Sequence, residues 1–197
     1  MKEPLLSLVR ARQGHFKLES GHHGDLWLQL ETLCLRSREI QPFAAQLAAK
    51  LQQYKVEVVC GPLVEGAYVA LLVSLELGCD FVYAERFANT AHKGLYPVEY
   101  RLPKALHAAV KSKRVAIVND VISAGSAVRG AFFDLQSIGA DVVAIGALLV
   151  LGDSITGFAA EHQVALELLQ QMPHNLWTPS RCPLCAAGQP LEVVAPS

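Results

Sequence analysis

A chain of 197 residues with a formal net charge of −1 carries no global field that would draw nucleic acid or anionic lipid to it. Hydrophobic residues make up 52% and charged residues 18%, a mix that fills a core and excludes disorder. The length suits one unit over 1–197, and any phosphate it binds must be held by local geometry rather than by bulk charge.

The first residues, MKEPLLSLVRARQG, have charges at both ends and too short an apolar core for a secretory signal, and no stretch reaches the length of a membrane helix. The five cysteines follow no framework spacing, so reduced thiols in a cytoplasmic protein are expected. In chain order, 5–11 reads as part of a first helix. Residues 38–54 read as a second, with Ser37 available as N-cap. A short buried strand over 56–60 ends at Gly61-Pro62, and a helix over 64–77 stops at Gly78. The next strand is 80–84. Residues 87–103 mix polar, aromatic, Gly and Pro residues without a period, as in a long functional loop with a short strand pair at most. Then come a strand over 114–118, a Gly- and Ser-containing turn, a helix over 127–138 ended by Gly139, and a last long strand over 142–151. Strands alternating with helices predict an α/β fold: a mainly parallel sheet flanked by helices, with ligands outside the carboxyl ends of the strands. That rule points at the turns after Cys60, Ala84 and Val118.

The turn after Val118 carries the most chemistry. In VAIVNDVISAGSAVRG an apolar strand runs into Asn119-Asp120, two apolar residues follow, and Ser123-Ala124-Gly125-Ser126 leads into a helix. Gly125 lets backbone approach an anion, successive amides form a nest, and the helix starting near Ala127 adds its N-terminal dipole. Ser123 and Ser126 offer hydroxyl donors, and Asp120 can accept hydrogen bonds from two sugar hydroxyls. The same pattern also suits a plain strand–turn–helix with a serine cap.

The string resembles the motif of type I phosphoribosyltransferases that binds 5-phosphoribosyl 1-diphosphate (PRPP), with Asn119 in place of the first acid. GHFKLESGHHGDLWLQ, from Gly14 to Gln29, resembles the N-terminal segment of orotate phosphoribosyltransferases. The tail RCPLCAAGQPLE is similar to that of one bacterial branch of that family. The resemblance implies transfer of phosphoribose from PRPP to a nucleobase, orotate in that family, with release of pyrophosphate in pyrimidine nucleotide biosynthesis. By it, Asn119, Asp120, Val121, Ile122, Ser123, Ala124, Gly125, Ser126 and Ala127 wrap the ribose and 5-phosphate, with Asp120 and Asn119 catalytic. Gly61, Pro62, Glu65 and Gly66 face the pyrophosphate. Arg86 and Lys93 reach PRPP from a hood over 86–103. Residues 1–36 form the base pocket, with Phe16, Ser20 and Ser123 at the base. Mg²⁺ comes with PRPP rather than through protein ligands, and a homodimer is implied because the hood serves the neighbouring subunit.

Four positions depart from the family's pattern. Asn119 loses a charge at the ribose, Glu19 replaces a non-acidic residue, and Glu65 sets a carboxylate in the pyrophosphate turn. Val150-Leu151-Gly152 stands where the family has Asp-Arg-Gly, whose Arg pairs with the orotate carboxylate, and a leucine cannot do so. Lys17, Arg36 or Lys93 compensates, or the base is another one, or the fold serves a non-catalytic binding role. In the tail over 178–197, Cys182 and Cys185 form half of a zinc site that His174 or a second subunit would complete; otherwise they sit in a reduced turn. His22 and His23 read as exposed loop residues near the base pocket rather than metal ligands, and Trp27 and Trp177 as packing aromatics.

Overall fold

The apolar runs become strands covered by helices. The structure is a computed structural model that describes residues 5–88 and 94–193. A turn of 3-10 helix over Leu5–Leu8 leads into a hairpin of β1 (Arg10–Lys17) and β2 (His23–Gln29), then α1 (Ser37–Leu51), β3 (Val58–Pro62), α2 (Glu65–Leu77) and β4 (Asp80–Ala88). After β5 (Val98–Arg101) and the single turn α3 (His107–Val110) come β6 (Arg114–Ile122), α4 (Ser126–Ile138), β7 (Asp141–Leu151), α5 (Ser154–Glu161) and β8 (Ala165–Met172). The tail supplies β9 (Leu176–Trp177), the one-turn α6 (Pro183–Ala186) and β10 (Glu192–Val193).

The main sheet has the order β5-β4-β3-β6-β7-β8, parallel throughout except for β5, which runs antiparallel to β4. Successive side chains of a strand point to opposite faces, so each central strand feeds two cores. Val115 and Ile117 of β6 pack with Val128, Phe132 and Leu135 of α4, while Ala116 and Val118 pack with Leu47 of α1 and Val69 and Val73 of α2. Gly61 lets α2 lie directly on β3: a Cβ there would run into Ala67 and Ala70. A second sheet, β10-β1-β2-β9, joins the N-terminal hairpin to the tail.

The α/β architecture, with its mainly parallel sheet between helices, is as expected, and α2 and α4 stop at Gly78 and Gly139. Three readings need correction. The expected first helix is a 3-10 turn followed by β1, whose residues 10–14 are all exposed and which is held by its pairing with β2 rather than by a buried face of its own. Ser37 is not the cap of α1 but its first residue; Arg36 precedes it, with no side-chain cap bond. The 142–151 strand is not the last, since β8 pairs alongside it as a half-buried edge.

Candidate functional site

Strands β3, β4 and β6 all end on one side of the sheet, where the predicted turns meet. A cavity of about 240 Å³ is walled by Pro62, Glu65 and Gly66 from the β3–α2 turn, by residues 119–128, and by Leu18, Glu19 and Ser20 from the β1–β2 turn. A larger one, about 710 Å³, shares Glu19, Trp27, Glu65 and Ser123 with it and adds Lys17, Arg86 and Leu151. The sequence-predicted turn residues Asn119, Asp120, Val121, Ile122, Ser123, Ala124, Gly125, Ser126 and Ala127 therefore come together with Gly66, Glu65 and Ser20.

The local chain explains their positions. Gly125 takes φ +83, the left-handed region open to glycine, and heads α4 at Ser126. The Ala124 carbonyl accepts from Arg129 Nε at 3.3 Å, from the Tyr96 hydroxyl at 3.3 Å and from Ser154 Oγ at 3.4 Å, so the turn is fixed from its far side. Arg129 also donates to the Ser154 carbonyl at 3.0 Å and lies 4.4 Å from the Phe158 ring centroid. Asn119 Nδ2 donates to the Val121 carbonyl at 2.8 Å, and a Cβ on Gly66 would collide with the Asn119 amide oxygen. A side chain at position 66 would push the Asn119 amide out of its bond to the Val121 carbonyl.

Asp120 is 4% exposed, and its Oδ2, like Ser123 Oγ, is buried with no hydrogen-bond partner among the described residues. Burial pushes its carboxyl up to about 7. The Glu65 carboxylate adds to the shift, and the backbone N–H groups of Val121 and Asp120 oppose it. Glu65 is the first residue of α2, where the helix dipole favours an acid. Arg86 donates through Nε to Glu19 at 2.7 Å, and the Tyr100 hydroxyl donates to the same carboxylate at 3.1 Å. Burial and that carboxylate push the Tyr100 phenol up.

Other sequence-predicted residues lie elsewhere. Phe16 is not on the cavity wall: it is 1% exposed and packs on Trp27, its ring filling the space beside Gly14. Arg36 is exposed and paired with Glu39 on the outside of α1. Lys93 lies outside the described residues. His23 is buried rather than exposed, because β2 carries it under the tail, whereas His22 stacks edge-on against Tyr96. His174 faces Asp25 at 3.3 Å rather than the cysteine pair. Tyr100 and Arg129 were not singled out from sequence; each acts across a fold contact that leaves no local motif.

A mainly parallel sheet whose central strand runs through Asn-Asp into a glycine-headed helix is a fold shared with solved phosphoribosyltransferases. The adenine phosphoribosyltransferase structure from Thermoanaerobacter pseudethanolicus superposes with a TM-score of 0.65 at 17% identity, over 85% of this chain and 98% of that one. No family model matches the sequence. The orotate phosphoribosyltransferase of Thermotoga maritima is 29% identical over 198 residues (98% of this chain, 95% of the relative). That of Caldanaerobacter subterraneus subsp. tengcongensis is 28% identical over 179 residues (91% and 87%). Over most of its length the chain is therefore similar to curated orotate phosphoribosyltransferases.

Proposed function

We propose that this chain transfers the phosphoribosyl group of PRPP to a ring nitrogen of a nucleobase, orotate in line with its sequence relatives, and releases pyrophosphate. The observation that carries the reading is the pair of orphaned atoms, Asp120 Oδ2 and Ser123 Oγ, buried in the wall of the glycine-headed turn. Buried polar atoms are normally paired, and sugar hydroxyls and a phosphate are the partners this turn suits.

In the reaction the C1–O bond to diphosphate breaks with its electron pair leaving on oxygen, a C1–N bond forms, and the proton of the base nitrogen passes to the departing diphosphate or to solvent. Positive charge grows on the ribose, next to which a deprotonated Asp120 stabilises it. Negative charge grows on the diphosphate, beside the backbone of Pro62 and Gly66; Gly61, expected there too, lies inside β3 against α2 and off the cavity wall. Mg²⁺ would enter as the companion of the diphosphate. Glu65 suits that role, since a carboxylate that repels a bare diphosphate favours a magnesium-bound one. Arg86 reaches the leaving group once it exchanges Glu19 for phosphate oxygens.

Within this reading the base is the finer question. Leu151 lines the larger cavity where a cation would pair with orotate, and Lys17 and Arg86 are the cations on the same wall. We take Lys17 as the substitute, since Arg86 is held by Glu19. A homodimer is supported by α2, whose Tyr68, Leu71 and Leu75 form one exposed apolar stripe at helical spacing.

The test is calorimetry with PRPP and Mg²⁺. The native chain should bind, and Asp120→Ala should lose about 100-fold or more in affinity, the equivalent of roughly 3 kcal/mol from buried hydroxyl partners of a charged group. Unchanged affinity in a folded Asp120→Ala protein would sink the assignment of this turn.

A further inference from the structure

The two cysteines of the tail meet the two histidines of the hairpin. His15 from β1, His23 from β2, and Cys182 and Cys185 around α6 place their ligand atoms within 4.8 Å of one another. The separations are 3.2 Å for His15 Nε2 to His23 Nδ1, 3.3 Å for Cys182 Sγ to His15 Nε2, 3.6 Å for Cys185 Sγ to His15 Nε2 and 3.2 Å for Cys185 Sγ to His23 Nδ1. Tetrahedral zinc, with bonds of about 2.0–2.1 Å to nitrogen and about 2.3 Å to sulfur, gives edges of roughly 3.3 Å between nitrogens and roughly 3.6 Å between nitrogen and sulfur.

Hydrogen bonding alone accounts poorly for this cluster. His15 Nδ1 lies 2.9 Å from the Gln189 carbonyl, which only accepts, so Nδ1 carries the proton and Nε2 a lone pair. If the Cys182 thiol donates to His15 Nε2 and the Cys185 thiol to His23 Nδ1, the two ring nitrogens face each other at 3.2 Å with a lone pair each and no proton between them. A cation at their centre takes one lone pair from each, and the Gln189 carbonyl becomes the outer partner that orients the imidazole.

We propose that His15, His23, Cys182 and Cys185 form a structural Zn²⁺ site. Two thiolates and two imidazoles suit zinc and exclude magnesium and calcium, and two thiolates neutralise the ion. Four protein ligands leave no position for a reacting water, so the site is structural. The sequence places the ligands for this purpose: Cys182-Pro183-Leu184-Cys185 is a C-x2-C hook wound into α6, and a register shift between Gln13 and Phe16 turns β1 at His15. The site ties the tail to the hairpin whose turn, Leu18, Glu19 and Ser20, walls the cavity beside Asp120. It does not depend on the phosphoribosyl reading.

The experiment is metal analysis of the purified chain followed by exchange of the ion for Co²⁺. About one zinc per chain is expected, and the cobalt form should show tetrahedral d–d absorption with thiolate charge transfer. Cys182→Ser should lose both signals, whereas Cys79→Ser, outside the cluster, should keep them. A native chain that takes up no stoichiometric zinc and gives no cobalt–thiolate band overturns the proposal whether or not the variants fold. Zinc fully retained by a folded Cys182→Ser, Cys185→Ser double variant does so as well.

Discussion

Asp120 is an acid held where acids are unwelcome. Its folded value of about 7 lies above the usual 3.8, so between those two values the folded chain binds a proton that the unfolded chain releases. The stability this group contributes is complete below the unfolded value and is lost as pH rises through about 7. Asp120→Asn keeps the shape without the charge. It should match the native chain near pH 4 and exceed it by roughly 2–4 kcal/mol at pH 8. Urea unfolding across that range reads the difference, and an offset that does not grow with pH would show that the carboxyl is not destabilised by burial. The gain in stability comes with a loss of PRPP binding, the trade expected of a functional group. Leu151 tests the base in the same way. Leu151→Arg should raise turnover of orotate relative to uracil, which lacks the carboxylate, by about 30-fold or more. Lys17→Ala, an exposed partner, should lower the same ratio by no more than about fivefold. Because the readout is a ratio, strain from a larger side chain in the buried 151 position does not confuse it. A ratio that Leu151→Arg leaves unmoved would remove the carboxylate from this part of the cavity.

At the scale of elements, α2 works at both ends. Its first turn brings Glu65 and Gly66 to the cavity, one face packs Val69, Ala70 and Val73 on the sheet, and the opposite face leaves Tyr68, Leu71 and Leu75 in water, the last 70% exposed. Light scattering should find a dimer, and Leu71→Glu with Leu75→Glu should leave a monomer of 21.3 kDa that remains folded. A native monomer at micromolar concentration would count against the stripe as an interface. The sequence made some elements legible and hid others for physical reasons. The strand of β6, its turn and α4 were readable because apolar run, Asn-Asp, Gly125 and helix follow one another within twenty residues. The hairpin was not, since residues 10–14 all face water and leave no alternation to read. β8 escaped because its Leu, Glu and Gln residues also suit a helix, and its half-buried edge gives no clean period. Cys182 and Cys185 were visible as half of a site. Their partners were not, because His15 stands 167 positions from Cys182 and only the second sheet brings them together.

For the whole molecule, that second sheet is a clasp between distant parts of the chain. β10 runs beside β1 with Phe16 opposite Glu192, β9 pairs with β2, and Arg12 meets Glu192 at 2.8 Å. The six-stranded sheet takes all its strands from residues 58–172, whereas the β1–β2 hairpin finds both of its outer neighbours in residues 176–193. A two-stranded hairpin alone is marginal in water. On the ribosome the sheet that carries Asp120 can therefore form before the hairpin that walls its cavity is secured, although the hairpin is synthesised first. The cavity beside Asp120 is then the last part of the fold to close, and until residues 176–193 join the hairpin the turn at Gly125 faces an unfinished door.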